Sequence, residues 1–268
     1  MPVPVLEAEP VDWDDVARVH SPRLLECVRT GAFPAREAKA VGVPWSPELV
    51  ERALRSTGGT LAAARDALSS GVGMNLGGGT HHAGHDFARG YCLVNDVVIA
   101  LARLRAEGLV RRALVFDCDV HQGDGTADLL REDPDAFCVS LHGLKNFPFV
   151  RVPSDLDVDF ESGTGDEEYL AGVEAALDAA LDAGPFDLAF YLAGADPWEG
   201  DRLGRLALSK AGLRRRDRLV LSRLAGVPTC VVLAGGYADD VNDTVEINLG
   251  TLHEAMRRFE QRRALQLT

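Results

Sequence analysis

Residues 113–125 run A-L-V-F-D-C-D-V-H-Q-G-D-G, a strand-like apolar stretch that breaks into acids and a histidine. After Leu114, Val115 and Phe116, the residues Asp117, Asp119 and His121 take every second position. Side chains alternate across a strand, so these three leave on one side while Cys118 and Val120 leave on the other. Carboxylates and an imidazole aimed at one point match a divalent metal centre that keeps a corner open for water, as catalytic zinc does. The same residues also fit a plainer role, a strand end whose acids cap the next helix, with Asp124 as the cap. The stretch alone leaves both readings standing.

Outward from this segment, the pattern alternates between helices and short apolar runs. Helical spacing covers residues 11–30, 46–68 (one helix or two), 95–107, 124–131, 166–182, 209–224 and 243–262. Strand-like runs cover 72–76, 137–141, 188–192 and 229–233. Strands that are apolar throughout, separated by helices, imply a single α/β domain with a parallel sheet covered on both faces. Residues 143–165, with Pro148, Pro153 and several aspartates, read as one long loop, and loops of that size are usually functional.

The residues just beyond each strand carry the functional signal. The first strand runs into G-G-G-T-H-H, presenting His81 and His82; 188–192 runs into A-G-A-D-P, presenting Asp196; 229–233 runs into A-G-G-Y, presenting Tyr237. In open parallel sheets, ligands bind beyond the carboxyl ends of the strands. Four strands thus deliver histidines, aspartates and a tyrosine to one edge, which favours the metal reading over the helix cap. Taken singly, each residue has an ordinary role: Tyr237 as a packing tyrosine, His81 and His82 as one core and one surface histidine, Asp196 as a turn start before Pro197. His20, His142 and His253 read as structural or surface residues, with His85 near the pocket mouth. Core packing is the first assignment for Phe147 and Trp198, and the substrate rim the second.

Composition narrows the class. The chain has 268 residues, 46% hydrophobic and 26% charged, which is ordinary for a globular protein. A formal charge of −13 argues against nucleic acid as a partner and is compatible with a cationic substrate. No stretch approaches the roughly twenty uncharged apolar residues of a membrane span, and M-P-V-P-V-L-E-A-E-P lacks the features of a signal peptide. Five cysteines without a C-x-x-C pair suit small buried side chains in a reducing compartment. These features together give a cytoplasmic expectation, with the number of subunits left open.

G-G-G-T-H-H-A, D-x-D-x-H-Q-G-D-G, A-G-A-D-P-W-E-G-D-R-L-G and G-G-Y, in this order and spacing, resemble the zinc-dependent histone deacetylase family. H-Q-G-D-G, L-H-G-x-x-N-F-P at 141–148 and E-G-D-R-L-G-R-L at 199–206 are most similar to its class IV branch and bacterial relatives. The resemblance covers about Val11 to His253. It implies the arginase/deacetylase α/β fold, with a parallel sheet of about eight strands between helices. It also implies Asp119, His121 and Asp196 as zinc ligands, with His81 and His82 beside the metal-bound water and Tyr237 facing the substrate carbonyl. Asp117 and Asp124 correspond to acids that hydrogen-bond the histidines. Asp117, with Ser140 and the Leu141 backbone, also corresponds to a structural monovalent cation site. Gly90 and Tyr91 match the wall of the acyl-lysine tunnel, and Leu203 its floor or rim. Relatives normally begin with a further strand and helix, so residues 1–268 are read as one catalytic domain without them.

The implied activity is hydrolysis of an N-acyl amine, with acyl-lysine as the first substrate class and acylpolyamines or small metabolites as alternatives. A non-catalytic module binding acylated or cationic ligands is the remaining alternative. Two carboxylates and an imidazole accommodate Fe²⁺ as well as Zn²⁺. His82 is the preferred proton acceptor, and Tyr237 the donor to the developing oxyanion. A two-manganese centre of the ureohydrolase kind needs a D-x-D pair, whereas Asp196 is followed by Pro197, Trp198, Glu199 and Gly200 before Asp201. One metal is therefore expected.

Overall fold

The apolar runs of the sequence assemble into one sheet. In the computed structural model, which describes residues 5–266, the strands are β1 (Val72–Asn75), β2 (Ala113–Asp117), β3 (Ala136–Gly143), β4 (Leu156–Phe160), β5 (Leu188–Leu192) and β6 (Thr229–Val232). Residues 1–4 and 267–268 of the span read as one domain lie outside the described residues. Sheet order is β1-β6-β5-β2-β3-β4, and every adjacent pair is parallel. Six strands stand, among the described residues, where the resemblance implies about eight.

Alternation divides each central strand between two cores. Val115, Leu188, Phe190 and Val232 face one, and Leu114, Phe116, Tyr191 and Val231 face the other. Helices α1 (Trp13–Ala17), α2 (Pro22–Thr30), α4 (Pro47–Ser70) and α5 (Asp96–Ala106) close the first core, while α3 (Ala35–Val41) contributes Val41 at its end. The second is closed by α7 (Asp166–Asp182), α8 (Lys210–Arg223) and α9 (Val241–Gln266), and α6 (Asp124–Leu130) follows β2. No described helix is long and apolar enough to cross a membrane. All five cysteines are buried and unpaired.

Residues 11–30 and 143–165 differ from the sequence expectation, α3 lies where no helix was expected, and an open alternative is settled at 46–68. Residues 11–30 form two helices, because Pro22 offers no N–H and holds Ser21 extended (φ −62°, ψ 152°), where its hydroxyl caps α2 through Leu24 N at 3.1 Å. Residues 46–68 belong to one continuous helix, α4, the single-helix alternative of the two the spacing allowed. Within the stretch read as a loop, L-D-V-D-F forms edge strand β4, with Leu156, Val158 and Phe160 packed on the second core and Asp157 and Asp159 facing outward.

Strand order also locates the site. From β2 the chain proceeds through β3 to β4 on one side, and from β5 through β6 toward β1 on the other, so the direction of winding reverses between β2 and β5. The crevice beyond the carboxyl ends at such a reversal is where doubly wound sheets hold ligands. Asp117–His121 and Gly194–Asp196 are the segments that leave these two strands.

Candidate active site

The segments after β2 and β5 bring Asp119, His121 and Asp196 together, with one ligand atom from each lying within 4.8 Å of the others. His121 Nδ1 is 3.0 Å from Asp119 Oδ1 and 3.2 Å from Asp196 Oδ2. The backbone holds both carboxylates in place: Gly235 N donates to Asp119 Oδ2 at 2.8 Å, and Val120 N to Asp196 Oδ1 at 2.8 Å. A Cβ at Gly235 would stand 2.2 Å from Asp196 Oδ2, so only glycine lets the turn after β6 close over the cluster. Among the described residues this is the only group of three or more such side chains able to hold a metal ion.

Its electrostatics fit a cation. Burial opposes the imidazolium, but the hydrogen bonds and charges of Asp119 and Asp196 push His121 up to about 11. Burial and the neighbouring Asp119 charge push Asp196 up to about 7. Two buried carboxylates facing one imidazole nitrogen therefore demand positive charge, and that donor set suits Zn²⁺. Asp201, the residue a second metal would need, is already engaged. Its Oδ2 accepts Tyr237 N at 2.6 Å, and its Oδ1 accepts Leu203 N at 2.8 Å and Gly204 N at 2.9 Å.

The histidine pair stands beside the cluster. His81 Nδ1 meets Asp117 Oδ2 at 2.6 Å, and His82 Nδ1 meets Asp124 Oδ1 at 2.5 Å. Against burial, the charges of Asp117 and Asp119 push His81 up to about 9. Burial and the charge of His81, with smaller contributions from His121 and then Arg89, hold His82 well below the usual histidine range. Tyr237 is raised by burial and by the carboxylates of Asp119 and Asp196, so its hydroxyl stays protonated and able to donate.

Among the remaining sequence candidates, Gly90, Tyr91 and Phe147 lie beside His82 or Tyr237. Gly90 packs on the His82 ring, and the Tyr91 ring centroid lies 5.8 Å from that of Tyr237. Leu203 is 40% exposed, and its carbonyl accepts Asn146 Nδ2 at 2.8 Å. Ser140 pairs in register with Asp117 across β2 and β3. Phe147 is partly buried, with its ring edge-on to His82 at 5.0 Å. Trp198 packs on the second core, as expected. His85 is not at the mouth; it is exposed in a separate groove with Arg18 and Asp128.

Sequence reasoning missed the scaffold behind these groups. Asp96 at the start of α5 accepts Gly79 N at 3.0 Å, Thr80 N at 2.7 Å and Thr60 Oγ1 at 2.5 Å, pinning the G-G-G-T-H-H turn. Asn95 caps α5 through Val98 N and also donates to Ala83 O at 3.1 Å. The unexpected helix α3 holds Gly90 and Tyr91, since Ala40 O accepts Gly90 N at 3.0 Å and Val41 O accepts Tyr91 N at 2.8 Å. Arg89 forms an ion pair with Asp124 and stacks over Phe87 at 4.5 Å. An N-D pair at a helix start is visible in the sequence but suggests no more than a cap, and Arg89 carries no local signal.

Comparison with known proteins bears on the family and the fold. Residues 2–249 match the family described as histone deacetylase domain. An uncharacterized protein of Picosynechococcus is 42% identical over 89% of this chain and 80% of its own length. Histone deacetylase 2 of Arabidopsis thaliana is 32% identical over 87% of this chain, which spans 62% of that protein. In fold, the chain is similar to the crystal structure of acetylpolyamine aminohydrolase from Burkholderia pseudomallei, with TM-score 0.78, 23% identity, and coverage of 94% of this chain and 85% of that one.

Proposed function

Because the chain belongs to the histone deacetylase domain family, we propose that it is a zinc-dependent amidohydrolase that removes an acyl group from acylated lysine. The observation that carries this reading is the convergence of Asp119, His121 and Asp196 within 4.8 Å beside the His81–His82 pair. Asp119, His121 and Asp196 would hold a divalent ion, which would supply Lewis acidity, acidifying water toward a pKa of about 7 and polarising the substrate carbonyl. Zinc is the assigned ion, and the same ligands accommodate Fe²⁺. Asp117 and Ser140, with the Leu141 backbone, are the proposed site of a structural monovalent cation.

The side chains supply the proton transfers. His82, neutral and oriented by Asp124, takes a proton from the attacking water at Nε2 and returns it to the leaving amine. His81, held protonated beside Asp117, donates toward the nucleophile's side of the pocket. The Tyr237 hydroxyl donates to the carbonyl oxygen as negative charge develops there. Gly90, Tyr91, Phe147 and Leu203 form the wall and rim along which the acylated side chain enters. An acylpolyamine is the second substrate reading, favoured by the charge of −13 that attracts polycations.

A panel of acyl-lysine peptides and acylpolyamines, offered to zinc-loaded protein, tests the reading. Release of free acid is expected, with Tyr237→Phe lowering kcat by about 10²–10³-fold. No release from any member, with Tyr237→Phe indistinguishable from wild type, contradicts it.

A further inference from the structure

Arg216 lies within α8 and is fully buried. In the run L-R-R-R-D-R it looks like any surface arginine, and its neighbours are such: Arg214 and Arg218 reach Glu254 at 3.1 and 2.9 Å, and Arg215 reaches Glu167 at 2.5 Å, all half-exposed. Arg216 instead points under the carboxyl ends of β2 and β5. Its Nη1 donates to Gly194 O at 2.6 Å and more weakly to Cys118 O at 3.4 Å. Its Nε donates to Asp217 Oδ1 at 2.9 Å, and Asp217 accepts Tyr191 OH and Thr251 Oγ1, each at 2.6 Å.

The two carbonyls belong to the loops that carry the candidate ligands. Cys118 stands between Asp117 and Asp119, and Gly194 two residues before Asp196. Those loops touch at Gly194, where a Cβ would lie 2.7 Å from Asp119 Cα and 2.9 Å from Asp196 Oδ1. A buried ion pair is weak support for stability, since apolar replacements of such pairs are often neutral or better. What an apolar side chain lacks is a planar fork that donates in several fixed directions.

We propose that Arg216 is a positioning residue for the metal centre. By joining the carbonyls of Cys118 and Gly194 from below, it fixes the separation of the Asp119 and Asp196 carboxylates. This rests on the reading of Asp119, His121 and Asp196 as ligands and is independent of the substrate.

The test is zinc affinity, measured by competition with a chromophoric chelator, together with thermal unfolding of the metal-free protein. Arg216→Met combined with Asp217→Asn removes the charge pair as a unit while leaving an amide oxygen to accept from one of the two hydroxyls, Tyr191 or Thr251, and an amide NH2 to donate to the other. Cooperative unfolding with zinc affinity weakened about ten- to hundredfold is expected, the usual cost of losing a group that orients metal ligands. A folded double variant that binds zinc within twofold of wild type overturns the proposal. A wild-type protein with no measurable zinc affinity overturns instead the ligand reading beneath it. Should the double variant not fold, Arg216→Lys, which keeps the charge without the fork, must still bind zinc more weakly than wild type. In the wild-type protein the Arg216 Nε–H resonance must shift on zinc saturation, and an unmoved signal overturns the proposal without recourse to any variant.

Discussion

His81 and His82 are adjacent, equally buried and each paired through Nδ1 with a buried aspartate, yet they sit in opposite surroundings. Asp117 beside His81 is joined by Asp119, whose Oδ1 lies 3.8 Å from His81 Nε2, so negative charge accumulates and overcomes burial. Asp124 beside His82 is matched by Arg89, and the His81 charge adds to burial in keeping His82 neutral. The same dyad thus becomes a proton holder in one case and a proton acceptor in the other. Burial and the neighbouring His81 charge weigh most at His82, with Arg89 a smaller contribution.

Truncation tests that division most strongly. His82→Ala is expected to lower kcat of the metal-loaded protein on an acetyl-lysine peptide by about 10³-fold, within the range of a lost general base, and His81→Ala by about tenfold less. Steady-state kinetics on both variants checks it, and equal losses would break the division.

A third buried histidine sharpens it, because His20 has no carboxylate at all. Its Nδ1–H donates to Gly84 O at 2.8 Å, its Nε2 accepts Asn95 N–H at 3.0 Å, and burial pulls it from 6.5 down to about 4. The unfolded chain takes up this proton before the folded one does. The contribution of His20 to stability is therefore complete above pH 6.5 and is lost as pH falls toward 4, by about 3 kcal/mol. Denaturant titrations at pH 7 and pH 4.5 should show that loss in wild type and most of it removed in His20→Gln. An unchanged acid loss in the variant would show that burial alone does not depress this group.

Arg89→Gln is the finest probe. Removing the cation makes imidazolium at His82 easier to form, so the acid limb of kcat/KM should move to higher pH. A limb that stays in place would mean that Arg89 does not distinguish the two dyads.

Much of the site was legible because strand ends leave a plain record. Asp119 and His121 lie in the bend just after β2, which ends at Asp117, so the strand end rather than the alternation marks them, and Asp196 and Tyr237 each come a few residues after an apolar run. The parallel sheet could be read from runs buried on both faces, but its order could not, since pairing between β2 and β5 depends on contacts far apart in the chain. Strand β4 was obscured by the prolines and aspartates before it, although L-D-V-D-F carries the alternation of an edge strand. Arg216 and Arg89 were illegible for a different reason. Arginine is usually solvated, and only the packing of α8 under β2 and β5, and of the turn at Gly90 against Asp124, buries or pairs these two.

The most direct test of the one-metal account is a zinc-edge anomalous map from crystals of the zinc-loaded protein. One peak is expected, about 2.0–2.2 Å from carboxylate oxygens of Asp119 and Asp196 and from His121 Nδ1. Two peaks in the crevice, or a single peak away from these three side chains, would contradict it.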